Sequence, residues 1–297
     1  MSTHRIVNVA SVPKRSPFRY PGGKTWLVPT ARKWIRHLES KPSLFIEPFV
    51  GGGIIALTII CEDLAEHAIL VERDPEIAAV WKTILSSKYK TLSSRILEFN
   101  VTEENVREEL SGKSTSLADI AFRTILRNRM QHGGIIAPGA SLIKSGENGK
   151  GLKSRWYPKT LADRINVIGD IRDRFTFLEG DGIDTINTYS KTKNVAFFID
   201  PPYTAAGKKA GARLYKFFEL DHSRLFEVAA EIQGDFLMTY DNAEGVRNLA
   251  AKHSLDTELI PMKNTHHAQM TELLIGKDLS WARLHGNSDN QVLLAFD

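Results

Sequence analysis

Seven short apolar runs, each bounded by turn-forming residues, limit what this chain can fold into. They are "LFIEPF" (44–49), "AILVE" (68–72), "FTFLEG" (175–180), "VAFFID" (195–200), "FLMTY" (236–240), "TELIP" (257–261) and "ELLIG" (272–276). Most are continuous rather than alternating, the pattern of strands covered on both faces. Helical patterns lie between several of them, such as "DPEIAAVWKTIL" (74–85) and "HSRLFEVAAEI" (222–232), the second with Asp221 as its N-cap. Strands alternating with helices predict an α/β doubly wound sheet. The alternation breaks between about 86 and 165. There, "EENVREELSG" and "SLADIAFRTILRNRM" have helical spacing, and a Gly- and Ser-rich stretch with a Trp-Tyr pair follows. This reads as an insertion (86–165) with hairpins or long loops, carried by a main domain of 1–85 and 166–297.

Charge is unevenly placed. The net charge is only +4, yet residues 1–33 carry seven basic side chains and no acid. Residues 121–160 carry eight basic side chains against Glu147 alone, and Lys208, Lys209, Arg213 and Lys216 form a third cluster. Concentrated positive charge is a footprint for polyanions, because each neutralised phosphate releases condensed counterions. No run is apolar enough for a membrane span, and the N-terminal stretch lacks the apolar core of a secretory signal. The one cysteine, Cys61, has no internal partner and fits a reducing compartment, so a cytoplasmic setting is expected.

Two loops at strand ends carry the chemistry. "LFIEPFVGGGIIAL" is a strand, a glycine-rich turn and an apolar helix, and glycine there lets the backbone approach a ligand closely. Glu72 ends the next strand, nineteen residues beyond Gly53, where an acid grips a ribose diol. Together they predict an adenosine-bearing cofactor, either NAD or S-adenosylmethionine. The second loop, "IDPPYT", places Asp200, Pro201, Pro202 and Tyr203 at the carboxyl end of a very apolar strand. Consecutive prolines remove two backbone donors and hold the chain extended, leaving carbonyls free to accept. An aspartate oxygen beside a proline carbonyl forks around the two hydrogens of an –NH₂ group, and Tyr203 offers an aromatic face to its ring.

With these loops, the chain resembles the Dam-type (D12 class) DNA N6-adenine methyltransferases. The matching segments are "PFRYPGGK" (17–24), "FIEPFVGGG" (45–53), "LVERD" (70–74), "LEGDGID" (178–184) and "IDPPYT" (199–204), in the family's order and across nearly the whole chain. The resemblance implies a class I, Rossmann-like methyltransferase fold with a mostly parallel seven-stranded sheet, and an inserted target-recognition domain. By match, Tyr20, Gly22, Gly23 and Lys24 line the methionine portion of S-adenosylmethionine, with Glu47, Pro48, Phe49, Gly51 and Gly53 beneath it. Glu72, where many members have Asp, holds the ribose, and Asp181 sits at the cofactor adenine. Asp200 to Tyr203 receive the target base, and Asp200 also borders the cofactor. Arg19 stands where relatives face DNA with a basic residue. The insertion follows the GATC-modifying members poorly, so no target site is implied.

The reaction so implied moves the sulfonium methyl to N6 of an adenine flipped out of duplex DNA. Arg127, Asn128, Arg129, His132, Lys153, Arg155 and Trp156 in the insertion, with Lys208 and Lys209, are the candidate DNA contacts. No covalent nucleophile is needed, so Cys61 is expected to pack in a helix. His266 and His267, adjacent on a strand, point to opposite faces, and no metal is expected. Rival readings are N4-cytosine or RNA adenine methylation, a non-catalytic nucleic-acid-binding module, and a P-loop enzyme built on "GGKT" (22–25). The last fails on spacing, since Phe18 stands where a Walker A loop needs its first glycine. The family setting implies a bacterial or phage-encoded enzyme with DNA as partner and no obligate protein subunit. A cognate restriction endonuclease would be a functional counterpart only.

Overall fold

A continuous apolar strand has to bury both of its faces, and here it does so by sending alternate side chains into two separate cores. The computed structural model describes residues 11–19, 23–113, 115–134, 136, 141–144, 146, 149–202, 220–263 and 269–283. All seven apolar runs form strands: β1 (Leu44–Glu47), β2 (His67–Glu72), β3 (Phe175–Glu179), β4 (Val195–Ile199), β5 (Asp235–Asp241), β6 (Asp256–Lys263) and β7 (Gln269–Gly276). They make one sheet in the order β3-β2-β1-β4-β5-β7-β6. Its pairs are parallel from β3 across to β5, while β7 runs antiparallel to both β5 and β6. This is the doubly wound, Rossmann-like arrangement that the alternation predicts.

Phe45, Ala68, Leu70, Ala196, Phe198, Leu237 and Leu274 point to one face, and their neighbours Ile46, Ile69, Val71, Phe197, Ile199, Phe236, Leu273 and Ile275 point to the other. The first face is covered by α1 (Val28–His37), α2 (Ile54–Cys61) and α3 (Pro75–Ile84). The second is covered by α8 (Gly182–Tyr189), α9 (His222–Ala230) and α10 (Glu244–Lys252). A short α11 (Ser280–Arg283) closes the described chain. Every α2 residue from Ile54 to Ile60 is buried, as an all-round apolar helix must be. Side-chain caps start α3 (Asp74), α8 (Asp181) and α9 (Asp221, accepting from Arg224 N).

Between α3 and β3 the expected insertion is helical: α4 (Tyr89–Glu98), α5 (Glu103–Ser111), α6 (Leu117–Met130) and α7 (Pro158–Asp170). α6 packs on α3 and α7 on α4. Leu92, Ile96, Phe122, Ile125, Leu126, Leu161 and Ile165 join the core already formed by α1, α2 and α3. The helices of 86–165 thus share one core with the sheet, and α7 runs through the boundary drawn at 165. Of the expected hairpins, the described residues show one antiparallel bridge, Gln131 to Leu142.

The sheet brings two loops together at its switch point. β1 pairs with β2 on one side and with β4 on the other, so the carboxyl ends at Glu47 and Ile199 open side by side. That is where open α/β sheets bind ligands.

Candidate active site

The glycine loop after β1 owes its shape to two left-handed residues, Gly51 (φ 42°) and Gly53 (φ 61°). A side chain at Gly53 would meet the Trp81 ring at 2.9 Å. The Trp81 indole N–H donates to Gly51 O at 3.0 Å, and Val50 N donates to Val71 O at 2.9 Å, so α3 and β2 hold the loop from behind. Glu72, at the end of β2, accepts from three main-chain N–H groups: Gly51 (3.2 Å), Arg73 (2.9 Å) and Asp74 (3.0 Å). Burial pushes its carboxyl up to about 7, against those hydrogen bonds and with the help of the Asp74 charge.

The neighbouring strand ends complete this side. Asp181 after β3 caps α8 through Ile183 N (2.8 Å) and Asp184 N (3.3 Å), and Arg73 lies 3.8 Å from its other oxygen. Gly180 N bonds Glu72 O at 3.1 Å, which ties the two acidic tips together. Gly182 stands where a side chain would come within 2.4 Å of Pro48 O, so α8 closes directly onto the "EPF" segment.

On the β4 side, five groups converge. Lys24, in the 3-10 turn Lys24–Leu27 that leads into α1, is only 5% exposed. Its ammonium lies 2.9 Å from Asp200 Oδ1 and 3.2 Å from Glu272 Oε1. Thr239 Oγ1, on β5, donates to the same Asp200 oxygen at 2.8 Å. Glu272, on β7, is 5% exposed. Glu47 completes the group from β1: its Oε2 accepts from Ala56 N at 2.8 Å, and its carboxyl is pushed well up, chiefly by burial. The Asp200 charge adds to that rise, and the Lys24 charge opposes it. Among the described residues, two carboxylates contact the Lys24 ammonium and a third, Glu47, lies within its field, a surplus of acid that favours a cationic ligand.

The structure thus brings together Lys24, Glu47, Gly51, Gly53, Glu72, Asp181, Asp200 and Pro201 from the expected cofactor and base sites. Pro48 is buried beside them, Phe49 and Pro202 are half-buried, and Gly23 is exposed at the mouth. Tyr20, Gly22, Tyr203, Lys208, Lys209, His266 and His267 lie outside the described residues. Lys24, expected along the methionine portion of the cofactor, is held by two protein carboxylates, Asp200 and Glu272. Thr239 and Glu272 escaped the sequence reading. Their only signal was a polar residue inside an otherwise apolar run.

The candidate DNA contacts divide. His132 and Lys153 are exposed and Arg155 is half-buried. Arg127 bonds Glu76 in the first turn of α3 at 2.7 Å. Asn128 is 1% exposed and grips Arg19 at both ends, accepting from its N (2.9 Å) and donating to its O (2.9 Å). Arg129, 4% exposed, donates to Pro17 O at 2.6 Å. Trp156, 7% exposed, packs edge-on against Phe99 and Phe122. Asn128, Arg129 and Trp156 therefore have almost no surface to offer DNA directly. Their polar or aromatic groups are used beneath it, because α6 turns this face into the core. Cys61 ends α2 half-buried, and burial raises its thiol. Among the described residues no three His, Cys, Asp or Glu side chains are set to hold a metal ion, and no helix is long and apolar enough to cross a membrane.

A family model described as D12 class N6 adenine-specific DNA methyltransferase matches residues 20–266. No match was found among curated proteins. Among solved structures, the chain is similar to the rRNA methyltransferase AviRa from Streptomyces viridochromogenes at 13% identity and a TM-score of 0.41, covering 93% of this chain and 95% of that one. It is also similar to a proposed RNA methyltransferase from Pyrococcus horikoshii at 12% identity and a TM-score of 0.38, covering 90% of this chain and 92% of that one. At such scores neither structure speaks to what this chain methylates.

Proposed function

Because the chain belongs to the D12 class of N6 adenine-specific DNA methyltransferases, we propose that it takes the methyl group from S-adenosylmethionine and uses Asp200 to Tyr203 to hold the receiving adenine. The observation that carries this reading is Asp200, fixed through one oxygen by Lys24 and Thr239 at the strand end beside the glycine loop. The residues around that loop fit the donor. Glu72 offers a carboxylate held by main-chain N–H groups for two ribose hydroxyls, and Asp181 lies at the adjoining strand tip for the cofactor adenine. Glu47, Asp200 and Glu272 outnumber Lys24, which suits a positively charged sulfonium.

When bound, S-adenosylmethionine supplies an electrophilic methyl carbon on a cationic sulfur. Asp200 and the Pro201 carbonyl accept the two hydrogens of the adenine amino group and draw its lone pair out of the ring. Lys24 and Thr239, both on Oδ1, stop the carboxylate from rotating while the base arrives. As the N–C bond forms, positive charge grows on nitrogen beside three carboxyl groups, and Asp200 takes the proton that the nitrogen sheds. Tyr203 stacks on the flipped base. The exposed His132, Lys144, Lys150, Lys153 and Lys159 supply phosphate contacts. A DNA substrate and a lone half-buried cysteine suit a cytoplasmic enzyme.

The test is to incubate the protein with methyl-labelled S-adenosylmethionine and unmodified DNA, digest to nucleosides and identify the labelled species. Label in N6-methyldeoxyadenosine is expected. Label only in N4-methylcytosine or in RNA, or no label, rejects the reading.

Cofactor binding should also depend on pH through Glu72. Its raised carboxyl is protonated below about 7, whereas a ribose hydroxyl donates best to the ionised form. Affinity is therefore expected to fall as pH falls, by about tenfold from pH 8 to pH 6, measured calorimetrically. Glu72→Gln should flatten that profile. An unchanged slope in the variant would assign the titration to another group.

A further inference from the structure

Two arginines, one on α6 and one on α7, converge on the segment that leads to Lys24, and a third, Arg19, stands on that segment. Arg164 Nη1, on α7, donates to Ser16 O at 3.1 Å, and Arg129 Nη2, on α6, donates to Pro17 O at 2.6 Å. Arg19, two residues further on, is pinned at both main-chain ends by Asn128. Adjacent carbonyls so gripped hold the two guanidinium groups close together, with Arg19 beside them. Burial, and then the fields of Arg164 and Arg19, bring Arg129 down to about 9, and burial lowers Arg164 too. Among the described residues, every hydrogen bond from Arg129 and Arg164 ends on a neutral main-chain carbonyl. Arg129 Nε, on a side chain 96% buried, has no partner at all.

Burying a guanidinium without an anion is costly, and crowding it with like charge is costlier. Unlike Arg129 and Arg164, several other buried or half-buried cations are paired with carboxylates: Arg32 with Glu62, Arg95 with Glu109 and Asp119, Arg127 with Glu76, and Lys24 with Asp200 and Glu272. We propose that Arg164 and Arg19, backed by Arg129, form a seat for one phosphate of the DNA backbone. Arg164 and Arg19 are half-buried and present the contact surface. Arg129 lies behind them and contributes field rather than contact. The seat stands at the entry to the "RYPGGK" segment, so a phosphate bound there fixes DNA relative to the Lys24–Asp200 pair. The identity of the phosphate rests on the DNA-methylating reading above.

The experiment compares wild type, Arg164→Gln and Arg164→Lys on duplexes in which one backbone phosphate at a time is an uncharged methylphosphonate. Binding and N6-methyl product are read in the same tubes, and thermal melting is followed with and without inorganic phosphate. Arg164→Gln should weaken DNA binding roughly tenfold and lower the salt slope by about one. One methylphosphonate position should weaken wild type but not Arg164→Gln, and Arg164→Lys should fall between them. A variant that melts lower yet keeps the wild-type salt slope and phosphate profile overturns the seat, leaving these arginines as internal struts. Stabilisation of wild type by inorganic phosphate with no methylphosphonate position affected also overturns it, since the ligand would then be a free anion. Wild type that methylates adenine without an Arg164-dependent phosphate sinks the seat alone. Wild type that binds DNA through the seat but transfers no methyl group sinks only the enzymatic reading.

Discussion

Asp200→Ala is expected to lose about 10³-fold or more in methyl transfer while retaining cofactor binding. On the proposed mechanism, the variant removes the acceptor for an amino hydrogen and the charge that balances the developing ammonium. It leaves Gly51, Gly53 and Glu72, which face the ribose side, untouched. Labelled-methyl transfer and calorimetry with S-adenosylmethionine measure the two properties separately. Thr239→Val tests the same point more gently. Valine matches threonine in shape but cannot donate to Asp200 Oδ1, so turnover should drop while KM for the cofactor holds, and Thr239→Ser should recover most of it. Transfer surviving in Asp200→Ala would remove Asp200 from the chemistry.

Lys24→Met carries the second large effect, on stability as well as rate. Lys24 bridges Asp200 and Glu272, and both Lys24 and Glu272 are buried. Breaking a buried ion pair from one side costs about 3–5 kcal/mol, because the abandoned charge has nowhere to go. The pH dependence has a definite sign. Lys24 opposes the rise of Glu47, so its removal lets that carboxyl rise further. An acid raised by folding stabilises the fold at low pH and loses that contribution as pH climbs through its folded value. The deficit of Lys24→Met, read from denaturant midpoints, should therefore grow as pH rises. Adding Glu272→Gln should restore part of the stability but none of the activity, which separates charge balance from catalysis. A Lys24→Met protein as stable as wild type at every pH tested would show that the cluster was protonated and never needed its cation.

The sheet was legible because its strands are buried on both sides, and an apolar run of that kind has few other uses. All seven appear within a few residues of their sequence limits, and the chemical loops fall where the sheet reverses. Glu72 could be seen because it ends a run at a fixed distance from a glycine triplet. Thr239 and Glu272 could not, since their meaning depends on β5 and β7 lying antiparallel and on Lys24 reaching them from the other end of the chain. The insertion shows the opposite failure. Its basic residues look like a solvated surface in the sequence, yet helical geometry turns Asn128, Arg129 and Trp156 inward. A charge or an aromatic ring read one residue at a time does not reveal which side of α6 meets α3.

The pairing of β1 with β4 bears on how the protein comes into being. Leu44 aligns with Val195, so the two central strands meet only after the helices of 86–165 have been made. Closing so long a loop costs entropy before any contact repays it, and parallel pairings of this kind are slow to form. During synthesis the glycine loop exists well before Asp200, and α2, with no polar face, has no sheet partner across β4 to complete its cover. The half-made chain is thus exposed to aggregation until the second half arrives. The Lys24–Glu272 contact joins a residue near the start of the described chain to one near its end, so this cluster is completed only when β7 takes its place in the sheet.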